Sequence, residues 1–217
     1  MSEANIRKFD LIIVGTGSGN SIPGPEFDDW DIAIVEKGVF GGTCLNVGCI
    51  PSKMLVYAAD VAETIRSSER YGINAKVESI DWIAIRDRVF GRIDPIAAGG
   101  ETYRISQECS NITVYKGHGK FLNDQVLQVE DAQGNLTEIS GKHIVLGAGA
   151  RPFIPPYPGL DEIDFHTSDT VMRIDELPPT MIILGGGYIA TELGHVFSAL
   201  GVDVTLINRG EKLLKNE

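Results

Sequence analysis

Phe9-Asp10-Leu11-Ile12-Ile13-Val14-Gly15-Thr16-Gly17-Ser18-Gly19-Asn20 is an apolar run that stops at a glycine-rich turn. Consecutive rather than alternating apolar residues mark a strand buried on both faces. A second such strand runs from Asp31 to Glu36. Strand, glycine turn, connection and strand together begin a doubly wound α/β fold. A turn of this kind aims backbone N–H groups at a phosphate. Gly15, Gly17 and Gly19, with Ser18 between them, give the tight bend and the close approach that a pyrophosphate needs. Glu36 follows about 20 residues on, where a carboxylate can accept bonds from ribose hydroxyls. Alone the pattern is only a tight turn; its place between two strands is what gives it weight. Asn20 stands where a third glycine is expected, and Pro23 and Pro25 predict a short or irregular helix after it.

The same unit recurs 170 positions later. A strand, Met181 to Leu184, enters Gly185-Gly186-Gly187-Tyr188-Ile189-Ala190; a helix runs to about Leu200; a strand, Val202 to Ile207, follows. Gly185, Gly187 and Ala190 fit G-x-G-x-x-A. The second strand leads to Asn208-Arg209, with no acid at the ribose position. Arg209 and Lys215 are either two solvated surface cations or partners of a 2′-phosphate, which favours NADPH over NADH. One βαβ unit cannot bury both faces of its sheet, so the chain is expected to stop inside a domain.

Two helical segments lie between the turns. Met54, Leu55, Ala58, Val61 and Ile65 share one predicted face, and Trp82, Ile85, Val89, Ile93 and Ile96 another. From about Asn111 to Val145 the pattern is strand-like, with Gly134-Asn135 as a hairpin turn. Ile144-Val145-Leu146 then leads into Gly147-Ala148-Gly149, and four prolines between Pro152 and Pro158 stiffen a connection.

Cys44 and Cys49 sit in Gly41-Gly42-Thr43-Cys44-Leu45-Asn46-Val47-Gly48-Cys49-Ile50-Pro51-Ser52-Lys53. In a regular helix five residues rise about 7.5 Å, which leaves the Cα atoms about 8–9 Å apart. A disulfide needs about 7 Å or less, so a bonded pair requires a broken helix, and Gly48 and Pro51 favour one. Thiols at helix N-termini react as thiolates. The spacing leaves other readings open: two inert buried cysteines, half of a zinc site, or a structural disulfide. Zinc spacings are usually shorter and no second Cys/His pair is evident, so no metal site is expected. Cys109 reads as an ordinary thiol.

Composition narrows the class. The 217 residues carry a formal net charge of −11 and are 43% hydrophobic, a globular and acidic chain with no general attraction to nucleic acid. No stretch approaches the roughly 20 apolar residues of a membrane span, and Met1 to Asp10 lacks an apolar signal core, so a cytoplasmic location is expected.

The cysteine string resembles the active-site signature of the pyridine nucleotide-disulfide oxidoreductases, the FAD-dependent disulfide reductases of class I. The order along the chain agrees: first turn, cysteine pair, Gly147-Ala148-Gly149-x-Arg151-Pro152, second turn. Within that family the chain is most similar to the branch that reduces mycothione, on Gly15 to Ser21, Val89 to Ile96, Ser168 to Arg173 and His195 to Gly201; Asn20 belongs to that branch. Dihydrolipoamide dehydrogenases share the cysteine signature.

The resemblance implies an FAD-binding domain over 1–152 with inserted helices and a β-meander, then an incomplete NADPH-binding domain over 153–217. It implies that Cys44 is the outer interchange thiol, Cys49 the flavin-side thiol, and Lys53 a partner of Glu192 near the flavin. Gly42, Thr43, His118, Gly119, Ala148, Gly149 and Arg151 join Gly15, Gly17, Ser18, Gly19 and Glu36 around FAD. Gly185, Gly187, Tyr188, Ile189, Ala190, Arg209 and Lys215 face NADPH, with Tyr188 covering the flavin. It implies a homodimer whose partner subunit supplies a His base. The resemblance covers about half of a full family chain, so the 217 residues alone are expected to be inactive, or a non-catalytic flavin-binding product.

Overall fold

The computed structural model describes residues 6–215. It divides into two compact units: Met1–Asn46 with Ile93–Arg151, and Val47–Arg92 with Pro152–Glu217. Segment 47–92 therefore groups with the last third of the chain rather than with the strands that precede it.

The first unit is built on a six-stranded sheet. Its strands are β1 (Arg7–Val14), β2 (Ile32–Glu36), β3 (Ile112–Lys116), β4 (His118–Asn123), β5 (Val126–Glu130) and β6 (Leu136–Leu146), in the order β3-β2-β1-β6-β5-β4. β3, β2, β1 and β6 are parallel, with Val14 opposite both Val35 and Leu146. β5 pairs antiparallel with both β4 and β6. The apolar run of β1 has the expected cause: both of its faces are covered. Leu11 and Ile13 pack with Ile32, Ile34, Phe27 and Trp30, while Phe9 and Ile12 pack with Ala33, Val35, Leu127, Val129 and Ile139. The long strand β6 serves both parts, pairing with β5 through Leu136–Ser140 and with β1 through Ile139–Leu146.

The connection from β1 to β2 holds no α-helix. Two 3-10 turns, Ser18–Ser21 and Pro25–Phe27, replace it, as the prolines predict. The β5–β6 turn is closed by Asp131, whose carboxylate accepts from the backbone of Gln133 and Asn135 and from the Asn135 amide. Gly134 there has φ +81°.

A short helix, α1 (Gly42–Asn46), ends the first segment of this unit, and α2 (Cys49–Arg66) begins the second unit. A third helix, α3 (Trp82–Arg104), runs from the second unit into the first. In the second unit α2 lies along α4 (Tyr188–Ala199), which covers the parallel pair β7 (Thr180–Leu184) and β8 (Asp203–Ile207). Polar ties run the length of the α2–α4 seam. Ser52 and Lys53 reach Glu192, His195 Nε2 meets Asp60 at 2.9 Å, and Arg66 donates to the Ala199 carbonyl at the end of α4.

The helix faces agree with the sequence reading in part: Leu55 of α2 and Trp82, Val89 and Ile93 of α3 are buried as expected. In α2 the buried residues are Pro51, Ser52, Leu55, Ala59 and Ala62, while Val61 and Tyr57 are exposed. Small residues set this face because two helices must approach closely there. In α3 the buried stripe is Trp82, Val89, Phe90, Ile93 and Ala97, with Ile96 outside it. Trp82 and Phe90 each have a partner within the second unit. The Trp82 ring lies 6.0 Å from that of Phe197, and Arg173 stacks 3.8 Å above Phe90. Among the described residues no helix is long and apolar enough to cross a membrane.

Candidate functional site

Three features stand out along the chain. The first is the turn after β1. Gly15 has φ +99°, and a Cβ there would lie 2.2 Å from the Gly147 carbonyl oxygen, so only glycine lets the ends of β1 and β6 meet. Its N–H donates to Val35 at 2.8 Å, which binds the turn to β2 as well. Gly17 faces Gly42: a Cβ on Gly42 would sit 2.6 Å from the Gly17 Cα. Gly42 and Thr43 of α1 thus stand beside the turn, and Gly149 comes near Thr43. Gly19 is buried against Ile13, whereas Ser18 is exposed.

Glu36, at the end of β2, is held by its surroundings. Thr16 donates to its Oε2 from both N–H and hydroxyl, at 2.9 and 2.7 Å, and Gly38 N–H donates to Oε1 at 2.7 Å. The Thr16 hydroxyl also accepts from Gly41 N–H at 3.2 Å. Thr16 is 2% exposed, so one buried hydroxyl joins the glycine turn, the strand-end carboxylate and the start of the cysteine segment. Sequence reasoning passed over it, since the turn pattern leaves that position unspecified. Gly117 N–H donates to the Glu36 carbonyl at 2.8 Å just before β4 begins, with His118 exposed and Gly119 close to Val35. Ala148, Gly149 and Arg151 are exposed at the end of β6.

The second feature is the cysteine segment. Cys44 lies in α1 and Cys49 opens α2, both exposed, and Cys109 is buried. Helix geometry breaks between them at Val47 and Gly48, where Gly48 has φ −133° and ψ −120°. Asn46 braces the first half, its amide donating to Phe40 and Gly42 carbonyls at 2.8 and 3.0 Å. Its Oδ1 is buried with no donor among the described residues.

In the second unit the first turn of α2 is tied to α4. Lys53 and Glu192 form an ion pair, and the Ser52 hydroxyl lies 3.4 Å from both Glu192 and the Cys49 carbonyl. Lys53 is 68% exposed and Glu192 22%.

The third feature is the turn after β7. Gly185 has φ +138° and donates to Ile207 at 2.9 Å, with Ala190 in contact range as the third small residue. A Cβ on Gly187 would meet open space. Asn208, at the position read only as lacking an acid, has a task of its own. Its amide donates to the Gly210 and Lys212 carbonyls, both at 2.9 Å, and Leu214 N–H returns to Gly186 at 2.8 Å. This folded loop brings Arg209, Lys212 and Lys215 to a cleft of about 1110 Å³ shared with Gly185, Gly187 and Tyr188. Tyr188 and Ile189 are both exposed.

A strand–glycine-turn–strand unit used twice, with a paired-cysteine segment between the copies, defines a class of protein, and this chain belongs to it: the sequence profile of the pyridine nucleotide-disulphide oxidoreductase family matches residues 9–217. Among individual relatives, the mycothione reductase of Mycobacterium tuberculosis (strain CDC 1551 / Oshkosh) is 52% identical over 216 residues, 97% of this chain and 46% of its own length. The mercuric reductase of Staphylococcus aureus is 31% identical over 95% of this chain and 37% of its own length. The dihydrolipoyl dehydrogenase of Bacillus subtilis (strain 168) is 30% identical over 97% and 46%. The chain thus spans about half, or less, of the length of these relatives.

Proposed function

We propose that the protein containing this chain is an FAD-dependent, NADPH-using disulfide reductase that acts on mycothione, the disulfide of mycothiol. In this reading residues 1–152 bind FAD and 153–217 begin an NADPH-binding domain. The observation that carries it is the tie between the cysteine-bearing start of α2 and α4, the helix that follows the second glycine turn, through Lys53 and Glu192. The residues of the first turn fit a dinucleotide. A Cβ on Gly15 would strike the Gly147 backbone, one on Gly42 beside the turn would strike Gly17, and Glu36 ends the neighbouring strand with lone pairs left for ribose. Asn208-Arg209 in place of a strand-end acid, with Lys212 and Lys215 on the same cleft, favours a 2′-phosphate and so NADPH. The identity to a mycothione reductase supports the substrate.

Bound flavin and NADPH would supply the electron pair that opens the Cys44–Cys49 disulfide to two thiols. The chain's own residues then perform exchange. The Cys44 thiolate attacks one sulfur of mycothione, forms a mixed disulfide and releases one mycothiol as it takes up a proton. The Cys49 thiolate attacks Cys44 Sγ, releases the second mycothiol and re-forms the Cys44–Cys49 bond. One substrate disulfide is reduced for each dithiol oxidised. Lys53, held by Glu192, places a cation one helical turn beyond Cys49, where it favours anionic charge. The family resemblance adds a homodimer.

The test is the complete protein with mycothione or lipoamide and with NADPH or NADH. Preference for mycothione and NADPH is expected, with Cys44→Ser and Cys49→Ser each abolishing turnover. Preference for lipoamide with NAD would move the protein to its dihydrolipoyl dehydrogenase relatives. A colourless protein that takes up no flavin would overturn the reading altogether.

A further inference from the structure

Arg104, the last residue of α3, is a charged group only 8% exposed. A buried guanidinium is costly unless its donors are matched. Its acceptors here are neutral: Nε donates to Asn20 Oδ1 at 2.9 Å, Nη2 to the Asn20 carbonyl at 2.5 Å, and Nη1 reaches Cys109 Sγ at 3.7 Å. Both oxygens of Asn20 are thus gripped by one planar fork, 84 positions away in the chain. Asn20 occupies the position of the missing third glycine. It belongs to the 3-10 turn Ser18–Ser21, and its own N–H donates to the Gly17 carbonyl at 3.0 Å. A third glycine ordinarily lets a helix pack closely on the strand. No α-helix follows this turn, so a side chain is tolerated, and here it hands the end of the turn to Arg104.

We propose that Arg104, acting through Asn20, is a positioning residue for the dinucleotide turn: it fixes Gly17 to Asn20 in the conformation that receives a pyrophosphate and sets a buried positive charge behind it. A dianionic ligand at the turn offsets the cost of that charge. The inference rests on the flavin reading above. It assigns the anion-receiving turn a brace outside the glycine pattern.

The test uses the full chain. FAD binding is followed by flavin fluorescence, and ADP and adenosine binding by calorimetry, for wild type, Arg104→Met, Arg104→Lys and Asn20→Gly; urea unfolding of each unliganded form reports folding. Arg104→Met is expected to weaken FAD and ADP at least tenfold and leave adenosine, which has no phosphate, unchanged. Arg104→Lys, which keeps the charge, recovers part of the loss. Asn20→Gly weakens both ligands, and adding it to Arg104→Met costs nothing further, because the two act as one unit. If a folded Arg104→Met binds FAD and ADP as tightly as wild type, the inference is wrong. If that variant does not fold, wild-type affinity in Arg104→Lys and Asn20→Gly together refutes it equally. A matching loss for adenosine overturns it as well, since that is general disturbance. A wild-type chain that binds neither FAD nor ADP removes the flavin reading and this inference with it; intact wild-type binding with indifferent variants removes this inference alone.

Discussion

Gly15→Ala is expected to destabilise the first unit by about 2–5 kcal/mol, and the structure separates that loss into two parts. The residue has φ +99°, a conformation that costs a residue with a Cβ about 1–2 kcal/mol. The added carbon would also lie 2.2 Å from the Gly147 oxygen and 2.8 Å from its carbon. These are backbone atoms directly after the Val14–Leu146 pair, so they cannot swing aside as a side-chain tip could. Overpacking of this kind costs about 1–3 kcal/mol. Gly134→Ala is the matched control. Its φ is +81°, but nothing lies within 4 Å of the new carbon, so it carries only the conformational cost. Urea unfolding of both variants, followed by the fluorescence of Trp30 beneath β1 and β2, gives the difference directly. Gly15→Ala should lose about 1–3 kcal/mol more than Gly134→Ala. A difference under about 0.5 kcal/mol, within the scatter of surface substitutions, would refute the claim that β1 and β6 meet through this glycine.

Gly187→Ala should leave unfolding within about 0.5 kcal/mol of wild type, because φ is −85° and a Cβ there meets open space. Any loss of NADPH affinity in the complete protein then reports ligand occupying that space, and unchanged affinity would argue against nucleotide binding at this turn. Lys53→Met should cost under about 1 kcal/mol of stability, since the pair with Glu192 is largely solvated on the lysine side. Its effect on turnover should be far larger, on the order of 100-fold, and equal modest losses in both would make the pair structural only. Asp10 is held below its ordinary pKa, first by the Lys142 ammonium at 2.7 Å and next by the Asp31 N–H. That contribution is present above the unfolded value and lost as pH falls through the folded one. Lys142→Met should therefore raise the Asp10 pKa in an NMR titration; an unmoved value would contradict the assignment.

Main-chain constraints were the legible part of this sequence. A continuous apolar run gave β1 because both of its faces are buried, and Gly134-Asn135 gave the β5–β6 hairpin because the turn needs a positive φ. Pro23 and Pro25 ruled out a regular helix after the first turn, and 3-10 turns stand there. Helix faces were less legible. The spacing points α2 at Met54, Leu55, Ala58, Val61 and Ile65; of these Leu55 is buried, Met54, Ala58 and Ile65 are half-buried and Val61 is exposed, and Ser52, Ala59 and Ala62 complete the packed stripe. Closeness to α4 selects small side chains, and a reading that looks for bulk passes over Ala59 and Ala62.

At the candidate site the same division explains what was missed. Glycine positions announce themselves because no other residue can adopt the backbone, as at Gly15 and Gly185. Thr16, Asn208 and Arg104 do not, because each acts through a partner that the local sequence does not reveal. Thr16 meets Glu36 20 positions away, Arg104 meets Asn20 at 84, and Asn208 closes on carbonyls that any residue would offer. All three are polar groups holding a glycine turn, or the loop beside it, in shape. A turn pattern says where phosphate can approach; it is silent on what keeps the turn from relaxing once its glycines have made it flexible. That rigidity has to come from side chains outside the pattern, so the residues hardest to read are the ones on which the turn's preorganisation depends.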